Sequence, residues 1–134
     1  MSDTVGPGPS RDRLDSFVAA RLADDELLAL EAGADLWQPG DRWLVTERGS
    51  AWSSHRGDDV LALAADDVPR EVLAHAVRHD PARVLDDVAA KRRVHGAYRR
   101  AKPGLMNRSG LSIALRALAC AWSDHPDFDP VWRT

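Results

Sequence analysis

From Ser10 to Gly33 the apolar residues Leu14, Phe17, Val18, Leu22, Ala29 and Ala32 recur at helical spacing. That period marks one buried face of an α-helix. Ser10 suits the N-cap, Asp12 and Asp15 place acid in the early turns, and Gly33 supplies a stop. Leu27 and Leu30 fall off the stripe and are expected to meet a second surface, on a partner protein or a second copy of the chain. Ahead of the helix, Gly6-Pro7-Gly8-Pro9 resists both helix and strand, so residues 1–9 are expected to form a disordered tail.

The period then changes. Asp41 to Thr46 alternates in the manner of a strand, Ala51 to Ser54 reads as a short second one, and Val60 to Ala64 as a third. Turn-forming residues, Arg48-Gly49-Ser50 and Arg56-Gly57-Asp58-Asp59, separate them. A small antiparallel hairpin or three-stranded meander is expected, covered on one face by a helix, because so few strands are marginal alone.

Helical spacing returns near Pro69, with Val72, Leu73, Ala76 and Val77 as the apolar face and His75 and His79 on one flank. Asp80-Pro81 breaks that helix and starts the next, with Asp80 as cap and Pro81 as first residue. The third helix buries Val84, Leu85, Val88 and Ala89, then turns basic on the same face and runs to about Arg100. Lys102-Pro103-Gly104 ends it. After a loop to Ser109, a fourth helix is expected over Gly110 to Trp122, with Leu111, Leu115, Leu118, Ala119 and Trp122 as its stripe. Pro126 and Pro130 stop regular helix, and Phe128 and Trp132 call for a tail that folds back. The expected fold is α+β: a long N-terminal helix, the hairpin or meander, then three helices and a packed C-terminal tail, with residues 10–134 as a single domain.

Composition narrows the class. At 134 residues, 44% hydrophobic and 29% charged, the chain can build a core without staples. Its one cysteine, Cys120, cannot form an internal bridge, which suits a reducing compartment. No apolar run approaches the roughly 18 residues that span a bilayer, and Met1 to Ser10 lacks the features of a signal peptide. A cytoplasmic protein with no membrane partner is expected.

The net charge of −3 hides an asymmetry. Residues 1–40 carry net −5 and residues 80–110 net +5, with seven basic residues and no acid between Lys91 and Arg108. Basic and acidic segments can attract each other within the fold or across a dimer.

Specific motifs carry a family likeness. His75-Ala76-Val77-Arg78-His79-Asp80-Pro81-Ala82-Arg83-Val84-Leu85, then Lys91-Arg92-Arg93, and finally Asp124-His125-Pro126-Asp127-Phe128 with Trp132, stand in an order that resembles the actinobacterial and actinophage small-protein family of unknown function numbered 6221. The resemblance covers about residues 14 to 133. It implies this order of elements and an intracellular setting, and it brings no activity.

Candidate chemistry is sparse. His75 and His79 have the i, i+4 spacing of a two-histidine half-site, and His125 on the tail is a third donor for a divalent metal; no other cofactor is expected. The same residues are equally explained by a helix break and a tail fastening. Glu is missing between the histidines, no glycine-rich phosphate loop is present, and Cys120 sits in an apolar helix, so no catalytic residue is assigned. Lys91, Arg92, Arg93, Arg99, Arg100 and Lys102 are candidates for a phosphate backbone, although the chain is acidic overall with a pI of about 5.9. Trp37, Trp52, Leu27 and Leu30 are candidates for a protein contact. The leading expectation is a non-enzymatic accessory or interaction protein with a protein partner or as a homodimer. A nucleic-acid-associated protein using residues 91–108 comes second and a metal-binding protein third.

Overall fold

The computed structural model describes residues 9–34, 43–45, 51–55, 58–63 and 69–134, with side chains described over 13–32 and 69–134. Helix α1 spans Pro9–Ala34, α2 Arg70–Arg78, α3 Pro81–Arg100 and α4 Met106–Ala119. Two 3-10 turns come after α4, Cys120–Trp122 and Pro130–Arg133. Strands β1 (Trp43–Val45), β2 (Ala51–His55) and β3 (Asp58–Leu63) lie between α1 and α2 in the chain.

The α+β class expected from the sequence is corrected to a helical fold. The α-helices hold 26, 9, 20 and 14 residues against 3, 5 and 6 in the strands. Among the described side chains, every buried one lies on a helix or directly beside one. The three strands form a narrow antiparallel sheet in the order β1-β2-β3, with Trp52 opposite Leu44 and Leu61 and an irregularity at Ala51/Trp52. Hydrophobic alternation over three to six residues fixes too few cross-strand pairs to organise a chain of this size. The proposed disordered tail, residues 1–9, falls outside the described residues except for Pro9, which opens α1.

The chain divides into two compact units. One comprises residues up to Asp24 together with Ala89–Thr134. Its core takes Leu14, Phe17, Val18 and Leu22 from α1, Tyr98 from α3, Leu115 and Ala119 from α4, and Trp132 from the tail. The first four lie along the predicted stripe at i, i+3, i+4 and i+8. Val18, Leu22 and Leu115 are among the largest fully buried side chains.

The other unit is continuous, Asp25–Val88. Among the described residues its buried apolar side chains include Ala29, Leu73, Ala82 and Val88. Ala32, at the end of the predicted stripe, is exposed, as is Val72. Asp80 is 2% exposed and caps α3: its Oδ1 accepts from the Arg83 backbone N–H at 2.8 Å and its carbonyl from Val84 at 3.0 Å. Pro81, the first residue of α3, has no N–H to leave unpaired.

Helix α4 begins four residues before the expected Gly110. The turn that feeds it, Lys102-Pro103-Gly104-Leu105, closes with the Leu105 N–H on the Lys102 carbonyl at 3.3 Å, and Gly104 has φ +87°. A type II turn requires positive φ at its third place, which glycine supplies, and favours proline at its second.

Candidate functional site

Three regions bring polar and apolar side chains together. The first surrounds Phe17 in the discontinuous unit. Its ring meets Trp122, His125 and Phe128 in edge contacts with centroids 6.4, 5.7 and 6.0 Å away, and Trp132 at 4.9 Å. The Arg21 guanidinium lies 5.5 Å above the same ring, meets His125 Nε2, and pairs with Asp24 at 3.0 Å. The His125 Nδ1 accepts from the Asp127 backbone N–H at 3.1 Å. Asp129 caps the last turn by accepting from Val131 N–H at 3.1 Å and faces Arg13 at 3.4 Å. Each aromatic pair is worth about 0.5–1.5 kcal/mol beyond its area, so the cluster is well explained as a fastening of the tail.

The second region is a cleft of about 520 Å³ in the same unit, along the turn and first half of α4. Tyr98 forms its floor, with the Arg108 guanidinium 4.3 Å over that ring and bonded to the Ala101 carbonyl. Ser109 and Ser112 line it with Arg116, whose Nη1 donates to the Thr134 carbonyl at 3.0 Å. On its rim Leu105, Met106 and Ile113 are 53, 95 and 61% exposed.

The third is a groove of about 390 Å³ in the continuous unit, lined by Leu28, Ala29, Ala32, His79, Pro81 and Val84 among others. Leu28 in that lining is 67% exposed, and Leu27 and Leu30 on the same helix are 57 and 40% exposed.

Of the histidines expected to share a metal, His75 and His79 lie in the continuous unit and His125 in the discontinuous one. His75 and His79 are exposed on α2 with rings 4.6 Å apart. His125 is committed to Phe17 and Arg21. Among the described residues no group of three or more His, Cys, Asp or Glu side chains can hold a metal ion. Cys120 turns its thiol toward the Trp132 carbonyl, 3.9 Å away.

Of the basic candidates, Arg92, Arg93, Arg99, Arg100 and Lys102 are exposed and Lys91 is half-buried. Lys91 Nζ sits 5.2 Å over the Trp122 ring. Asp15 of α1 takes His95 Nε2 and faces Arg99 Nε at 3.8 Å, so an acid from the first helix answers part of the basic one. Among the protein-contact candidates, Trp37 and the Trp52 side chain lie outside the described residues, whereas Leu27 and Leu30 are exposed on α1. Leu28, Leu105, Met106, Ile113 and Arg116 were not singled out by sequence. Placing the start of α4 at Gly110 left Leu105 and Met106 in a loop, where their exposure has no meaning.

No helix among the described residues is long and apolar enough to cross a membrane. Comparison with curated proteins and with solved structures finds no match. A family model does match, over residues 11–134, which takes in the Phe17 cluster, the α4 cleft and the α1 leucines alike; the chain belongs to the family of unknown function DUF6221.

Proposed function

We propose that this is a non-enzymatic accessory or interaction protein of an actinobacterium or actinophage, acting in the cytoplasm by holding another protein. One observation carries it: Leu27, Leu28 and Leu30 are 57, 67 and 40% exposed within four residues of one helix. Single leucines scattered over a surface need no explanation, but three left exposed within one turn of one helix make that turn a candidate contact. The motifs shared with the family support the actinobacterial or phage setting. The experiment is a pull-down of the tagged protein from an actinobacterial lysate treated with nuclease, beside the variant Leu27→Asp with Leu30→Asp. A defined partner that survives nuclease and is lost with the variant is the expected result. Capture of nuclease-sensitive material alone overturns it.

A second reading, a nucleic-acid-associated protein, is favoured by the charge of residues 88–123, which hold eight Lys or Arg and no acid. Against it stands Asp15, already engaged with His95 and Arg99. If it holds, Arg93→Ala, Arg100→Ala and Lys102→Ala together flatten the salt dependence of duplex binding, each lost phosphate contact removing about 0.9 from the log–log slope.

A further inference from the structure

We propose that His75 and His79 are one half of a zinc site, completed by the same pair of a second copy, so that one ion joins two chains through four imidazoles. This goes beyond the interaction reading and uses neither Leu27 nor Leu30.

The backbone holds the pair in place. Helix α2 ends at Arg78, and His79 is its C-cap, with φ −108° and ψ 36°. The helical bond is nevertheless kept, because the His79 N–H donates to the His75 carbonyl at 3.2 Å. One turn therefore separates the two side chains, which share a flank of the helix. Their ring centroids lie 4.6 Å apart with 45° between the planes. On a tetrahedral zinc two imidazole nitrogens stand roughly 3.3 Å apart, a separation that rings so close reach by side-chain rotation. Both residues are exposed. Among the described residues neither imidazole has a hydrogen-bond or ion-pair partner, so no nitrogen of either ring is already committed. His125 is the converse case: its Nε2 meets Arg21 and its Nδ1 accepts from the Asp127 backbone N–H at 3.1 Å.

Imidazole suits zinc, copper and nickel, whereas calcium and magnesium take oxygen. A zinc ion that holds a structure together fills four positions from protein side chains. One chain offers two of them, because among the described residues no third His, Cys, Asp or Glu side chain joins the pair. Glu71, one turn before His75, is exposed but does not complete the set. A second copy turned about a two-fold axis through the ion supplies the missing two nitrogens, and such a contact closes at two chains. The neighbouring residues suit that face. Val72 precedes His75 by three residues and His79 by seven, a spacing that puts it on the same side of α2, and it is 54% exposed. Close to the axis it gains apolar burial against the second copy. Glu71 and Arg78 flank the pair with opposite charges, so the two copies do not meet as surfaces of one sign. All of these residues belong to the continuous unit.

The test uses the full chain without a histidine tag, stripped with a chelator and then given zinc chloride. Light scattering after size exclusion reads the mass, and calorimetric titration reads the stoichiometry. The stripped chain is expected to be monomeric. Zinc is expected to double its mass with one ion bound for two chains, magnesium to leave it unchanged, and chelator to reverse the effect of zinc. His75→Ala and His79→Ala are each expected to stay monomeric in zinc, with circular dichroism checking that helix content is kept; His75→Gln or His79→Gln replaces either one that loses it. A mass that zinc does not change, one ion bound by each single chain, a dimer that chelator leaves intact, or a zinc dimer that survives the loss of either histidine overturns the proposal. The lysate pull-down with Leu27→Asp and Leu30→Asp tests the interaction reading separately, since neither substitution touches the histidine pair.

Discussion

Asp80 shows how much structure one side chain sets. It is nearly inaccessible, yet its carboxylate bonds the Arg83 N–H and its carbonyl starts the α3 ladder. Asp80→Ala removes the acceptor and leaves a donor of the first turn unpaired, at a cost of about 1–2 kcal/mol. Urea denaturation is expected to show that loss, with Asp80→Asn keeping most of the wild-type midpoint. This role was legible from Asp80-Pro81 alone, because an N-cap and a first-turn proline act over three or four residues. The roles of Arg21 and His125 were not legible. They meet across 104 positions of sequence, and no local period reports a contact at that distance.

At the scale of elements, the best-read helices were those whose buried positions repeat. Leu14, Phe17, Val18 and Leu22 announce α1 by spacing, and all four are buried. The strands were overvalued for the opposite reason: runs such as Val60 to Ala64 are too short to say how much of the fold they carry. The expected start of α4 at Gly110 falls four residues late because Asn107-Arg108-Ser109-Gly110 has loop-like composition, although its backbone is helical from Met106. The turn before it depends on Gly104 at φ +87°. Open space surrounds the place where a Cβ would stand, so the cost of Gly104→Ala is purely conformational. A loss of about 1–2 kcal/mol is expected from the left-handed backbone, read as a lowered denaturation midpoint with helix content unchanged. A larger loss with altered helix content would mean that the turn is not what sets the start of α4. The surfaces divided in the same way. Leu27 and Leu30 stand out of a clean stripe and could be found in the sequence, whereas the α4 cleft depends on where that helix begins.

For the whole molecule, the discontinuous unit depends on a tail that closes over Phe17. A chain stopped after His125 lacks Phe128 and Trp132, two of the rings around Phe17, and the Asp129 partner of Arg13. Such a chain is expected to bind more of a dye that reports exposed apolar surface and to be cleaved faster by protease near Phe17. Unchanged dye binding would show that the tail is ornamental to this unit.

That same discontinuity has a consequence for how the protein is made. Residues 25–88 form a unit from a continuous stretch, so its contacts can form while the ribosome is still translating the remainder of the chain. The unit that pairs residues before Asp25 with residues after Val88 must wait. Phe17 emerges early, yet Trp132 is synthesised more than a hundred residues later, at least about five seconds behind at ordinary elongation rates. During that interval Leu14, Phe17, Val18 and Leu22 form an apolar ribbon without its cover. A nascent chain of this protein is therefore expected to present that ribbon, the kind of surface that chaperones bind, until the residues around Trp132 have left the ribosome.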